Sequence, residues 1–137
     1  RYTRIVHRPI TVARGRDSAK LRVAIVVIVK DYADAPEYEE ARRTVECYAK
    51  YHGYPFYFVD ASFSRRGSAC TQTDFMFRRH CVMAELMARM VGVVDWLLFM
   101  DADMAVINPS HLIEEYISAA LSKIDVIFCK RIFNHEV

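Results

Sequence analysis

Residues 21–29 (LRVAIVVIV) constrain the fold of this chain more than any other segment, because they are apolar at nearly every position. A strand with one buried face alternates apolar and polar residues, whereas a parallel strand covered on both faces does not. The β-branched composition favours a strand over a helix. We therefore predict a buried strand here, in an α/β fold.

Strand and helix patterns alternate along the rest of the chain. Three further apolar runs are predicted to be strands: 54–59, 95–100 and 125–129. Three intervening segments have helical spacing or helix-start signals: 34–52, 74–90 and 108–121. This order predicts a mostly parallel four-stranded sheet with flanking helices, a Rossmann-type arrangement. Ligands of such sheets bind beyond the carboxyl ends of the strands.

Length and charge limit the classes of protein to consider. A chain of 137 residues with 53% hydrophobic and 26% charged residues fits one globular domain. The net charge of +2 does not favour a nucleic-acid partner. Positive charge is concentrated in residues 1–20, interpreted as a basic segment or linker before a domain at 21–137. We interpret the chain, which begins with Arg1, as a fragment of a longer protein.

Cysteine spacing and hydropathy give two further expectations. The four cysteines contain no Cys-x-x-Cys pair, which argues against zinc, and their spacing is compatible with a disulfide without requiring one. They are Cys47, Cys70, Cys81 and Cys129. No apolar stretch reaches the roughly 18 residues that span a bilayer. Any membrane attachment is therefore expected to use a segment outside this chain.

Asp101 and Asp103 follow the apolar strand at 95–100 directly. Two carboxylates at this spacing repel each other unless a cation or hydrogen-bond donors neutralise them. Mn²⁺ and Mg²⁺ prefer oxygen ligands and often take one or two carboxylates together with substrate phosphate oxygens. We favour a metal site over the alternative, a turn in which both aspartates cap backbone amides and face water.

Several blocks resemble a known family. Residues 97–109 (LLFMDADMAVINP) resemble the metal-binding segment of glycosyltransferases with the GT-A fold. Residues 47–56 (CYAKYHGYPF) are similar to a block in the galactosyl- and mannosyltransferase family of fungal galactomannan synthesis. Further similar blocks, which resemble a nematode-expanded branch of that family, lie at 74–81, 95–96 and 127–134. The likeness extends over residues 22–137.

This resemblance implies a function and a setting. The chain would be the donor-binding half of a metal-dependent glycosyltransferase, using Mn²⁺ or Mg²⁺ held by Asp101 and Asp103. Such an enzyme transfers a hexosyl group from a UDP- or GDP-sugar to a glycan or glycoprotein acceptor. The family resemblance also implies retention of anomeric configuration and a location in the Golgi or secretory-pathway lumen.

The resemblance also implies roles for individual residues. Those expected to contact the nucleotide or donor are Val29, Lys30, Asp31, Asp60, Arg78, Arg79 and Ala102. The register of the likeness favours Arg78 for the diphosphate, whereas helical spacing places Arg79 on the core-facing stripe, and both are kept. Asp31 and Asp60 have plainer alternatives, as a solvated loop residue and a turn cap. Asn134 lies where the family's donor-sugar wall begins.

Two rival functions remain. In haloacid-dehalogenase-like phosphatases an Asp-x-Asp motif also follows an apolar strand, and Asp101 would be the nucleophile. Ala105 stands where those motifs usually carry threonine or valine, and trapping a phosphoenzyme would separate the two classes. The chain is alternatively a non-catalytic, degenerate transferase domain.

The family's further metal ligand, often a histidine, comes from a later segment, and His135 does not occupy its position.

Overall fold

The computed structural model describes residues 21–62, 69–117 and 125–127. The strands and α-helices in these ranges are β1 (Val23–Val29), α1 (Glu39–His52), β2 (Phe56–Asp60), α2 (Phe75–Met90) and β3 (Trp96–Met100). Two 3-10 helices accompany them, at Tyr32–Tyr38 and Ile113–Tyr116. The basic segment at 1–20 lies outside the described residues. No helix in the described ranges is long and apolar enough to cross a membrane.

The strands form a parallel sheet in the order β2-β1-β3. Ile25 of β1 lies opposite Phe56 of β2 on one side and Leu98 of β3 on the other. All seven residues of β1 are buried. The predictions of a parallel α/β fold and of a doubly covered first strand are therefore confirmed.

Helices α1 and α2 cover opposite faces of this sheet. Val23, Ile25, Val27 and Val29 belong to a core cluster with residues of α1, including Val45. Val26 and Ile28 pack instead with Val82 and Met83 of α2. Each fully buried aliphatic side chain contributes about 1.5–3 kcal/mol through removal of apolar surface from water. Burial on both faces explains why β1 contains no polar residue.

The first predicted helix, 34–52, is confirmed from Glu39 onward and corrected at its start. Residues 32–38 form a 3-10 helix, capped by the Asp31 carboxylate, which accepts a hydrogen bond from the Ala33 N–H at 2.9 Å. Pro36, which has no N–H to donate, lies inside this tighter helix. Gly53 ends α1 with φ 76°, a left-handed conformation that glycine adopts without steric penalty.

The next two elements begin close to their predicted positions. Helix α2 begins at Phe75 and is capped by Asp74, whose carboxylate accepts a hydrogen bond from the Met76 N–H at 2.7 Å. Strand β2 begins at Phe56 rather than residue 54, because the Tyr54 N–H is already bonded to the Ala49 carbonyl. The Pro55 carbonyl still accepts a hydrogen bond from Ile25 at 2.8 Å.

Two predicted elements are not found in the described residues. Residues 125–127 form no strand, residues 128–129 lie outside the description, and the described sheet has three strands rather than four. The helix expected at 108–121 is reduced to the 3-10 helix Ile113–Tyr116, with 118–121 outside the description. Asn108 caps a turn by accepting the Ser110 N–H, and Glu115 accepts the Leu112 N–H, so side chains satisfy these amides locally.

Candidate functional site

An open cleft of about 350 Å³ lies at the carboxyl ends of β1 and β3. Its walls come from the end of β1, the 3-10 helix after it, the first turns of α2 and the loop after β3. The lining residues are Ile28, Val29, Lys30, Asp34, Tyr38, Phe75, Arg79, Asp101, Ala102 and Asp103. This is the edge at which open α/β sheets bind ligands.

The strand register brings the two sides of the cleft together. Val27 of β1 lies opposite Met100 of β3, so the residues that follow each of them leave the sheet side by side. Lys30 and the segment from Asp101 to Asp103 therefore line the same cleft. Their proximity follows from parallel pairing and could not be read from either segment alone.

Asp101 and Asp103 occupy one turn, closed by a hydrogen bond from the Met104 N–H to the Asp101 carbonyl at 3.1 Å. No backbone amide in the described part of the chain donates to either carboxylate. The arrangement therefore differs from the alternative in which both aspartates cap backbone amides. The turn instead presents both carboxylates to the cleft.

Arg79 reaches Asp101 across the cleft. Its Nη1 donates to Asp101 Oδ1 at 2.6 Å, and the two side chains are 15% and 39% exposed. The guanidinium carbon lies 6.0 Å from the Phe75 ring centre and 5.5 Å from that of Phe99. The buried Nε has no hydrogen-bond acceptor among the described residues. Arg79 is thus held in place while at least one of its N–H groups has no acceptor among the described residues.

Arg78 is placed differently. Its Nε donates to the Gln72 carbonyl at 2.6 Å, and the side chain does not line the cleft. The register of the family likeness favours Arg78 as the residue that meets the diphosphate. The helical spacing that puts Arg79 on the sheet-facing side of α2 instead corresponds to the observed geometry.

The remaining candidate residues divide into two groups. Val29, Lys30 and Ala102 line the cleft, whereas Asp31 and Asp60 do not. Asp31 caps the 3-10 helix, and Asp60 accepts hydrogen bonds from the Ser62 N–H at 2.7 Å and the Tyr32 N–H at 3.2 Å. Both aspartates therefore serve local backbone structure. Asn134 lies outside the described residues.

Two polar residues of the cleft have no role in the sequence-based prediction. Asp34 and Tyr38 lie on the 3-10 helix after β1 and line the same cleft as the aspartate turn. The negative charge of Glu37 raises the pKa of Tyr38, with smaller contributions from burial, Asp34 and Asp103. The only sequence signal for these two residues was their position soon after a strand end. An acidic residue such as Asp34 is also ordinary at the start of a helix, so this signal was not distinctive.

The donor set restricts the metal that the cleft can hold. In the described ranges no group of three or more histidine, cysteine, aspartate or glutamate side chains is arranged to bind a metal ion. The cleft offers two carboxylates on one turn, one of them already paired with Arg79. This set fits Mg²⁺ or Mn²⁺ completed by phosphate oxygens and water, and it does not fit an ion enclosed by protein ligands alone.

The end of α1 anchors the segment that follows the aspartate turn. The Tyr48 hydroxyl donates to the His111 carbonyl at 2.7 Å, and His52 Nε2 lies 2.6 Å from the Pro109 carbonyl. The Tyr54 hydroxyl donates to Glu114 and accepts from the Ile113 N–H. These side chains belong to the block at 47–56 in the sequence, which therefore has a structural role in the described residues.

A disulfide joins Cys70 to Cys81, with Cα atoms 5.5 Å apart. Cys81 lies on α2 two residues after Arg79, and Cys70 lies in the loop that leads into the helix. The disulfide therefore ties this loop to the helix that carries Arg79. Cys47 is exposed and unpaired in the described part of the chain.

The fold and the cleft define a parallel α/β protein with a polar cleft, containing an Asp-x-Asp turn, at the carboxyl edge of its sheet. Residues 45–137 match the family described as "Protein of unknown function, DUF273". Because this match covers more than half of the chain, the protein belongs to that family. No curated protein and no solved structure matches the chain.

Proposed function

We propose that this chain is the nucleotide-sugar-binding part of a metal-dependent glycosyltransferase with a GT-A-like fold. Its reaction would transfer a hexosyl group from a UDP- or GDP-sugar to a glycan or glycoprotein acceptor. One observation carries the proposal: Asp101 and Asp103 share a turn at the carboxyl end of β3 and line the same cleft as Lys30 and Arg79. Carboxylates for a cation thus face side chains suited to phosphate.

Asp101 and Asp103 are the residues proposed to hold Mn²⁺ or Mg²⁺. A bound cation neutralises negative charge that grows on the departing diphosphate. Neither carboxylate accepts a hydrogen bond from a backbone amide of the described residues, and Asp103 forms no ion pair there. The turn can therefore offer oxygen ligands without first breaking backbone structure.

Lys30 and Arg79 are proposed to bind the diphosphate. Arginine suits this task because its planar guanidinium makes paired, charge-assisted hydrogen bonds to phosphate oxygens. Lys30 extends from the end of β1 as a flexible point charge on the same cleft. With Asp34, Asp101 and Asp103 opposing these two cations, the cleft has a net negative charge without metal. A dianionic diphosphate is therefore expected to need the cation in order to bind.

The rest of the lining supports a donor larger than a phosphate. Tyr38 and Phe75 offer aromatic surface beside Ile28 and Val29. Apolar and aromatic walls with a few polar groups are typical of pockets for small organic ligands. We assign this surface to the nucleoside or the sugar of the donor.

The Cys70–Cys81 disulfide supports the proposed location in the Golgi or secretory-pathway lumen. Disulfides form and persist in oxidising compartments and are rare in the cytosol. The location itself comes from the family resemblance described above.

Calorimetric titration of UDP and GDP tests the proposal. Binding is expected in Mn²⁺ or Mg²⁺ and is expected to be lost in chelator. Asp101→Asn and Asp103→Asn should each weaken binding at least about tenfold, roughly 1.4 kcal/mol. Asp125→Asn makes the same charge change outside the cleft and serves as the matched control.

Two outcomes would contradict the proposal. Equal affinity with metal and with chelator would remove the metal from the binding reaction. A folded protein that binds neither nucleotide under any condition would support the non-catalytic alternative.

A further inference from the structure

Arg79 is confined more tightly than a surface arginine. Its side chain is 15% exposed, and its guanidinium lies near the rings of Phe75 and Phe99. Nη1 is bonded to Asp101, whereas the buried Nε has no acceptor among the described residues. The ion pair with Asp101 thus leaves one buried donor of Arg79, its Nε, unsatisfied in the described structure. A buried N–H without an acceptor is energetically unfavourable.

Asp101 therefore has two competing positive partners. In the described structure its Oδ1 accepts a hydrogen bond from Arg79 at 2.6 Å. A divalent cation at the aspartate turn would need the same carboxylate and would repel the guanidinium beside it. Asp103, on the same turn, forms no ion pair with the described residues. The cation therefore competes with Arg79 for the Asp101 carboxylate only.

We infer that the Arg79–Asp101 ion pair is an exchangeable latch that couples the metal to the diphosphate. Without ligand, Arg79 neutralises Asp101. When a cation takes the carboxylate, the guanidinium turns its N–H groups to the diphosphate oxygens, which supply acceptors for Nη1 and for Nε. The inference rests on the proposed function, and it concerns the regulation of the same site.

This exchange has a thermodynamic consequence. The cation alone must displace Arg79 from Asp101, so it binds weakly. When both ligands are bound, the cation neutralises Asp101 and Arg79 neutralises charge on the diphosphate. Each ligand therefore raises the affinity of the other. Reciprocal coupling of this kind is required by linkage, and typical coupling factors are about 5–150-fold.

Substitution of Arg79 therefore has effects of opposite sign on the two ligands. Arg79→Gln removes the competing charge and should tighten binding of Mn²⁺ alone at least about fivefold. It should weaken UDP at saturating Mn²⁺ at least about tenfold, because the diphosphate loses its guanidinium. Arg79→Lys keeps the positive charge but not the planar guanidinium with its paired donors. Mn²⁺ alone should therefore bind as in the wild type, whereas the affinity for UDP should recover only in part.

Arg78→Gln is the matched control, because Arg78 is the neighbouring arginine and donates to the Gln72 carbonyl away from the cleft. Both of its affinities should stay within about twofold of wild type. Free Mn²⁺ is counted by the electron paramagnetic resonance signal of the hydrated ion, and UDP binding is measured by calorimetry. Circular dichroism verifies that each variant is folded.

The outcomes separate the latch from the proposed function. If wild-type protein binds Mn²⁺–UDP but Arg79→Gln weakens Mn²⁺ alone or changes neither affinity, the latch is wrong and the proposed function stands. If wild-type protein binds neither Mn²⁺ nor UDP, the proposed function fails and the latch fails with it. A tighter metal and a weaker nucleotide in Arg79→Gln alone establish the exchange.

Discussion

The Thr44 hydroxyl, in the middle of α1, accepts a hydrogen bond from the backbone N–H of Val106 at 2.9 Å and donates one to the Ala41 carbonyl at 2.8 Å. One side chain thereby joins the helix to the segment just after the aspartate turn. Sixty-two residues separate the two partners in sequence. The conformation of that segment thus depends on a helix formed much earlier in the chain.

Thr44→Val should destabilise the protein by about 1–3 kcal/mol, because the isosteric side chain leaves the Val106 N–H without its acceptor in a partly buried position. Thr44→Ser keeps the hydroxyl and should lose less. Urea unfolding monitored by circular dichroism gives the free energy of unfolding of each variant. Equal stabilities for Thr44→Val and wild type would mean that water replaces the hydroxyl fully.

Asp101→Ala and Asp103→Ala should differ in stability although they remove the same group from the same turn. Asp101→Ala leaves the Arg79 guanidinium without its carboxylate, and the expected loss is about 1 kcal/mol, kept small because Asp101 is more than one-third exposed. Asp103→Ala should be neutral or slightly stabilising, because it lowers carboxylate repulsion. Thermal unfolding without metal measures both. Equal losses in the two variants would indicate that the ion pair contributes nothing.

Acid should weaken the contact between the starts of β1 and β3. The Arg22 guanidinium, followed by the Arg22 backbone N–H, lowers the pKa of Asp95 from 3.8 to about 2. Because the folded-state pKa is depressed, this stabilising contribution is present above the unfolded pKa near 4. It is lost as the pH falls from about 4 to about 2.

Asp95→Asn removes the ionisation of Asp95 and serves as the comparison. The melting temperatures of wild type and Asp95→Asn, measured from pH 7 to pH 2, should differ most at neutral pH and converge as the pH approaches 2. A constant difference across that range would show that Asp95 titrates alike in the folded and unfolded protein.

Reduction of the Cys70–Cys81 disulfide should lower the free energy of unfolding by about 3 kcal/mol, the chain-entropy value for a loop of this length. Urea unfolding with and without dithiothreitol measures the difference. A variant with alanine at both positions, Cys70→Ala and Cys81→Ala, should be insensitive to the reductant. If reductant destabilises that variant as much as the wild type, its effect does not come from this disulfide.

The sequence predicted the parts of the fold that depend on local periodicity. The uniformly apolar β1 and the stripe on α2 identify their elements because burial of one or both faces leaves a repeating pattern. The prediction of a helix at 108–121 was wrong for most of its described residues. Long-range hydrogen bonds from this segment to Tyr48 and His52 of α1 favour an irregular path, and local periodicity does not reveal them. Residues 125–127, the described part of the fourth predicted strand, form no strand, so apolar composition there is not matched by pairing in the described sheet.

The candidate site was predictable to a similar degree. Asp101 and Asp103 are recognisable because they directly follow a strand, and strand ends bear ligand sites in this class of sheet. The choice between Arg78 and Arg79 was left open, because helical spacing placed Arg79 on the sheet-facing side of the helix whereas the register of the family likeness favoured Arg78. Asp31 and Asp60 were candidates for ligand contact with a solvated loop and a turn cap as their alternatives, and nearby backbone amides take up their carboxylates.

The central position of β1 has a consequence for synthesis. Strand β1 leaves the ribosome before both of its partners, and the second partner, β3, ends at Met100, about 70 residues after β1. At roughly 5–20 residues per second, the nascent chain carries an unpaired edge of VAIVVIV for about 4–14 seconds. Such segments are strongly aggregation-prone. Until β3 is complete, pairing with β2 and packing of α1 cover only part of this strand.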